Sequence, residues 1–237
     1  MSDTVFEGQL AMVTGASRGI GAATAKALAA RGAHVILTGR NAKDLEAVED
    51  AIFEAGGKAT IAPLDLTDGE SIARLAVAIS QRWEALDMLV LNAAMLGSLG
   101  PVPTIDGGEF NRMMTLNVLS AQAMIAHFDA MLRKSGSARV AALTSSVAAQ
   151  PRAYWGAYGA SKAALEVLLQ SYGEETRNLG RVRTAIIDPA RTRTAMRAKA
   201  YPGEDPSSVK PPEAVAQAIA DLLASDFVTN HRLVLEG

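Results

Sequence analysis

The chain alternates, from one end to the other, between short apolar runs and longer helix-like segments. The runs are LAMVT (residues 10–14), AHVILT (33–38), KATIA (58–62), LDMLVL (86–91), RVAALT (139–144), VRTAII (182–187) and RLVL (232–235). Strands buried on both faces read as near-continuous apolar runs rather than alternating ones. The segments between them, over residues 21–31, 42–55, 68–83, 109–134, 154–179 and 213–224, are Ala- and Leu-rich and carry helix punctuation. Asp68 is placed to cap one of them, and Gly56-Gly57 ends another. Strands that alternate with helices make βαβ units, whose right-handed crossovers put helices on both faces of a parallel sheet. The expectation is an α/β, doubly wound, Rossmann-type fold of about seven parallel strands. No repeat or linker divides residues 1–237, so one domain is expected. The stretch 190–212 is polar and holds Pro202, Gly203, Pro206, Pro211 and Pro212, which predicts an irregular loop with at most a short helix.

Hydrophobic residues make up 49% of the 237, enough to fill a large core, and aromatics only 5%, so small aliphatic side chains must do the filling. The 23 basic and 25 acidic residues leave a net charge of -2, which argues against nucleic acid or a membrane surface as partner. The absence of cysteine removes disulfides, thiolate metal sites and cysteine nucleophiles, and fits a reducing compartment. Residues 1–8 lack the basic start and apolar run of a signal peptide, and no apolar stretch reaches the ~18 residues of a membrane span. A cytoplasmic protein is expected. His34, His127 and His231 are scattered without metal-ligand spacing, so no metal is expected. Met113 and Met114 read as core filling.

Chemistry enters at residues 14–21, TGASRGIG, directly after a strand and at the start of a helix. A phosphate needs close backbone approach, free N–H donors and a positive helix end. Gly15, Gly19 and Gly21 carry no Cβ to obstruct that approach. The spacing departs from G-x-G-x-x-G. It resembles TGxxxGxG, the cofactor signature of the short-chain dehydrogenase/reductase family, and the resemblance spans the chain. Asp65, followed by Leu66, stands where the family has an adenine-contacting Asp. Asn92 stands at the family's NNAG, with Ala94 replacing the Gly. Asn117 lies within LNV in a helix, and Pro189 and Thr194 fit PGxxxT, with Ala190 replacing the Gly. The topology implied places the ligand where strand order reverses, between the first and fourth strands. The resemblance makes Gly15, Ser17, Arg18, Gly19, Ile20, Gly21, Asp65, Leu66, Asn92, Pro189 and Thr194 the cofactor-binding set.

The second strand ends Leu37-Thr38-Gly39-Arg40, with no acid before Asp44. An acid there would hold the ribose 2′-hydroxyl of NAD, whereas an arginine accommodates the 2′-phosphate of NADP. Arg40, with Arg18 in the turn, therefore favours NADP(H) over NAD(H).

Tyr158 and Lys162 form the family's YxxxK, and residues four apart share one helical face. A phenol has a pKa near ~10, and a nearby cation favours its ionised form. Lys162 and an oxidised nicotinamide could together tune Tyr158 as general acid/base for hydride exchange with a carbonyl or alcohol substrate. By resemblance, Lys162 also binds the nicotinamide ribose and Asn117 holds a water in a proton relay. Ser145, 13 residues before Tyr158, fits the hydroxyl that polarises the carbonyl, with Ser146 as the alternative. Trp155 either lines the substrate cleft or packs the helix start.

Arg191, Arg193, Arg197 and Lys199 fall within nine acid-free residues. They read as solvated loop charges or phosphate contacts, or else as receptors for an anionic substrate group. A homodimer or homotetramer through the helices at 109–134 and 154–179 is implied by the resemblance. The rival function is a nicotinamide-binding redox sensor without turnover, against which the presence of Tyr158, Lys162, Asn117 and Ser145 together speaks.

Overall fold

The computed structural model describes residues 4–236, so Met1–Asp3 and Gly237 lie outside it, including the start of the N-terminal segment read above. Seven strands form one all-parallel sheet in the order β3-β2-β1-β4-β5-β6-β7. In chain order the elements are β1 (Leu10–Thr14), α1 (Gly19–Ala30), β2 (His34–Gly39), α2 (Ala42–Glu54), β3 (Lys58–Pro63), α3 (Gly69–Ser80) and β4 (Met88–Leu91). Then come α4 (Gly107–Met114), a π-helical turn (Thr115–Leu119), α5 (Ser120–Lys134), β5 (Ala138–Leu143), α6 (Ser146–Ala149) and α7 (Gly156–Thr176). The chain closes with β6 (Val182–Asp188), α8 (Ala195–Ala200), α9 (Pro212–Ala224) and β7 (His231–Val234).

Alternate residues of each strand feed two cores. On β1, Ala11 and Val13 face one layer, built with Leu28 of α1, Leu45 of α2 and Ile219 of α9. Leu10 and Met12 face the other, built with Ile72 of α3, Phe128 of α5 and Leu169 of α7. Both faces being covered explains why the strands are apolar throughout. The chain runs outward from β1 through β2 to β3, then returns to β4 on the other side. The reversal leaves a crevice at the carboxyl ends of β1 and β4, where ligands of such sheets bind.

Two expectations need correction. The helix expected over 109–134 is interrupted by the π turn at Thr115–Leu119, within which the Asn117 side chain pairs with the Met95 backbone. The helix expected from residue 154 begins at Gly156, since Tyr154 has φ +73°, outside helical space. Between 190 and 212 the expected loop does contain a short helix, α8, and is closed by a bridge between Thr192 and Lys210.

Candidate active site

Thr14, the last residue of β1, ties the mouth of the crevice together. Its Oγ1 accepts from the amides of Asn92 (2.9 Å) and Ala93 (3.0 Å). Asn92 answers with its side-chain amide, donating to the carbonyls of Thr14 (2.8 Å) and Gly15 (3.1 Å). The two strand ends are thus cross-linked, and the glycine turn is pinned against them. A Cβ on Gly21 would sit 2.2 Å from the Gly15 carbonyl oxygen and 2.5 Å from Asn92 Nδ2, so only glycine fits. Gly15 (φ +66°) and Gly19 (φ +57°) occupy the left-handed region. Arg18 precedes α1 without offering a side-chain cap, so the helix's first amides have no side-chain partner from it.

Arg40 is exposed at the end of β2 and Asp65 at the end of β3, on the same side of the crevice as Arg18. No described carboxylate lies within ion-pair distance of either arginine. Asp65 Oδ1 accepts from the amide and hydroxyl of Thr67 (2.9 and 2.8 Å), which holds its carboxyl below the usual range, with Arg40 adding to the effect. The turn geometry and the two free guanidinium groups fit the phosphates of an NADP-type dinucleotide.

At the other end, Tyr158 and Lys162 rise on adjacent turns of α7, 7% and 2% exposed. Lys162 Nζ donates to the Leu143 carbonyl at the end of β5 (2.8 Å) and lies 5.8 Å from the centre of the Tyr158 ring. Burial lowers the Lys162 pKa to about 8, although the Glu166 carboxylate opposes that shift. Burial, reinforced by Asp188, pushes the Tyr158 phenol up from its ordinary value. Burial and Asp188 thus oppose ionisation of the phenol, and the lowering expected from sequence called on an oxidised nicotinamide together with Lys162. Its hydroxyl faces the Met196 sulfur at 3.9 Å.

Ser145 and Ser146 both line the crevice after β5. Ser146 Oγ accepts from Arg152 (3.1 Å), while Ser145 precedes α6 without capping it. Asn117 lies behind the wall, 1% exposed, its side-chain oxygen accepting from Met95 N–H and its amide donating to Met95 C=O (2.9 Å) and Ser161 Oγ (3.0 Å).

Every candidate catalytic or cofactor-binding residue lines this one crevice of about 1390 Å³ except Asn117 and Gly21, which lie behind its walls. The loop from 190 roofs it. Thr194 caps α8 by accepting from Arg197 N–H (3.1 Å), and its Cγ2 would be 3.5 Å from a Cβ on Gly19, so the roof rests on the glycine turn. Two of the four loop cations are engaged, while Arg191 and Arg193 are exposed and have no described carboxylate partner. Arg197 forms a two-point pair with Glu204 (2.6 and 2.5 Å) and covers the Tyr201 ring at 3.6 Å, and Lys199 donates to the Gly97 carbonyl (3.1 Å). Trp155 does both things asked of it: it precedes α7 and it lines the cleft. No group of histidines and acids able to hold a metal occurs among the described residues, and no described helix is long and apolar enough to cross a membrane.

Sequence reasoning missed Glu166, a buried carboxylate that accepts from Thr144 Oγ1 (2.5 Å) and pairs with Arg232 of β7. Its position four residues after Lys162 was the available signal. It also missed Gly159, where a Cβ would meet the Val147 carbonyl oxygen at 2.9 Å, which lets α6 pack tightly on α7.

The short chain dehydrogenase family model matches residues 9–205. The chain belongs to that family. It is 36% identical over 221 residues to the uncharacterized oxidoreductase YciK of Escherichia coli K12, covering 92% of this chain and 87% of the relative. A short chain dehydrogenase from Shigella flexneri, complexed with NADP, superimposes with TM-score 0.93 at 34% identity, over 99% of this chain and 98% of that one. An Escherichia coli CFT073 relative complexed with NADPH gives TM-score 0.93 at 35% identity, with the same coverage. The Rossmann-type fold and the family membership expected from the motifs both hold.

Proposed function

We propose that this member of the family is an NADP(H)-dependent oxidoreductase that interconverts a carbonyl compound and its alcohol. The observation that carries the reading is the pairing of a buried Tyr158 and Lys162 at one end of the crevice with a cationic glycine turn at the other. The NADP and NADPH held by the two structural relatives support the choice of dinucleotide. When bound, the dinucleotide supplies or accepts the hydride.

The chain's own residues do the rest. Arg18 and Arg40 would hold the dinucleotide's 2′-phosphate, and the amides of Gly15 to Gly21 its pyrophosphate. Ser145 donates to the substrate oxygen and polarises the carbonyl, a role its free position after β5 allows better than that of Ser146, which is bonded to Arg152. Lys162, fixed by Leu143, places positive charge beneath Tyr158. In reduction the carbonyl carbon gains the hydride, the C=O π pair moves to oxygen, and Tyr158 delivers its proton there. Oxidation reverses each movement. Asn117 holds the Met95 segment that walls the site. We also propose a homodimer or homotetramer formed through α5 and α7, whose Leu119 and Val167 neighbourhoods expose apolar side chains (56% and 64%).

The test is a pair of measurements on Tyr158→Phe. A thermal-shift titration should show NADPH stabilising the variant as it does the native protein, with NADH doing little to either. Carbonyl-dependent NADPH oxidation should fall about 10²–10⁴-fold, the usual contribution of a positioned acid/base. Retained turnover removes Tyr158 from the reaction, and equal response to NADH removes the role of Arg40.

A further inference from the structure

The chemistry of the substrate can be read from the crevice beyond Tyr158, given the oxidoreductase reading above. We propose that this end takes an uncharged, ring-sized apolar ketone or its alcohol. The ring seats against Trp155 and Tyr201, and the reacting oxygen displaces the Met196 sulfur from the Tyr158 hydroxyl.

The walls come first. Tyr158 belongs to a cluster with Leu96 and Val147, against which Trp155, Met196 and Met95 pack, all of them apolar or aromatic. Trp155 stacks on Tyr201 of the roof at 5.8 Å between ring centres and 30° between planes. The same indole meets Tyr158 edge-on at 6.0 Å and 66°. An aromatic surface therefore runs from the roof down to the proton donor. Such surface favours apolar rings through area burial and offset or edge-to-face contact.

The charges come second. Of the four cations after β6, Arg191 and Arg193 line the crevice without a described carboxylate partner, whereas Arg197 is held by both oxygens of Glu204 and by the Tyr201 face. Lys199 is turned to the Gly97 carbonyl, and Glu109, the acid lining this end, accepts from the amide and hydroxyl of Ser98. A substrate carboxylate would have to break a two-point, half-buried ion pair to recruit Arg197, whose side chain is 20% exposed. Arg152, at the mouth, is exposed and donates to Ser146.

Met196 comes third. A thioether is a weak acceptor on a flexible side chain. At 3.9 Å from the Tyr158 hydroxyl it fills, with apolar atoms, the place a carbonyl oxygen must take. A neutral ketone brings a stronger acceptor to that hydroxyl and apolar surface to replace what Met196 gives up.

The experiment uses Trp155 as reporter. In a Trp83→Phe variant it is the sole tryptophan, and Trp83 sits apart from the crevice against His34. The NADP⁺-saturated variant is titrated with cyclohexanone and with 4-oxocyclohexanecarboxylate, the same ring without and with a carboxylate. Cyclohexanone should alter Trp155 emission with a Kd at least tenfold lower than the acid. Tyr201→Leu should weaken it at least fivefold, with NADPH affinity unchanged. Ligand-induced thermal shifts of the NADP⁺-bound native protein give the same ranking without the Trp83 change. Tighter or equal binding of the acid overturns the proposal, as does silence from both ketones or an unaltered Kd in Tyr201→Leu. NADPH oxidation measured alongside separates the two claims. Turnover of the carboxylated ketone alone sinks the substrate class and leaves the oxidoreductase reading. Ring binding in the expected order without NADPH oxidation does the reverse.

Discussion

Lys162 is a cation kept almost wholly out of water, and its surroundings set how the protein responds to pH. Its folded pKa is lowered to about 8, below its ordinary value, so between those values the unfolded chain binds more protons than the native one. Stability therefore rises with pH through that window. Relative to Lys162→Met, the native protein should gain on the order of 3 kcal/mol at most between pH 8 and 10.5, read by denaturant unfolding at each pH. A flat difference would mean that Lys162 is not proton-poor in the folded state. Glu166 is the lever on this lysine. Glu166→Gln removes the opposing charge, which lowers the Lys162 pKa further. The alkaline limb of the kcat profile should then move down by about one pH unit. A merely structural role for Glu166 would lower stability and leave the limb in place. The pair Tyr158 and Lys162 was legible because one helical turn links them. Glu166 obeys the same spacing but stayed hidden. A glutamate on a helix reads as solvated until Arg232, 66 residues away, arrives to bury it.

Among elements, the segment after β6 carries backbone strain at one residue. Ala190 has φ +51°, in a region that costs an L-residue about 1–2 kcal/mol, at a position where the family pattern has Gly. Ala190→Gly should raise stability by about 0.5–1 kcal/mol after the added unfolded-state entropy, measured by chemical denaturation. A loss would show that the alanine methyl packs usefully there. The π turn is a second element-scale device. Asn117→Ala leaves the Met95 N–H and C=O without their partners and should cost about 2–3 kcal/mol, with a lowered Tm as readout. Strands were readable in sequence because burial on both faces makes them apolar throughout. The π turn was not, since apolar periodicity continues across it and the Met95 backbone that Asn117 pairs with is distant in sequence. The roof was only half readable. Proline and glycine marked residues 190–212 as irregular, but the pairing of Arg197 with Glu204 took one of its four cations into a brace.

At the scale of the whole molecule, the sheet gathers the glycine turn, Tyr158 and the roof at the carboxyl ends of its strands and leaves the outer faces of α5 and α7 to other contacts. Replacing both apolar positions, Leu119→Glu with Val167→Glu, should convert the proposed oligomer to a monomer by light scattering while NADPH still binds. An unchanged mass would place the interface elsewhere. The parallel sheet followed from the alternation of elements, and the reversal between the first and fourth strands from the topology that the resemblance implied. The contacts between copies did not, because an exposed valine on a helix carries no mark of its partner. One feature of the roof also governs traffic. Thr194 rests on Gly19 at the cofactor end, and Met196, two residues later, rests on Tyr158 at the other. One short stretch of backbone is thus a shared door for two visitors. A change that lifts it at one end would therefore loosen it at the other, so the two ends of the crevice are coupled through a few residues of backbone.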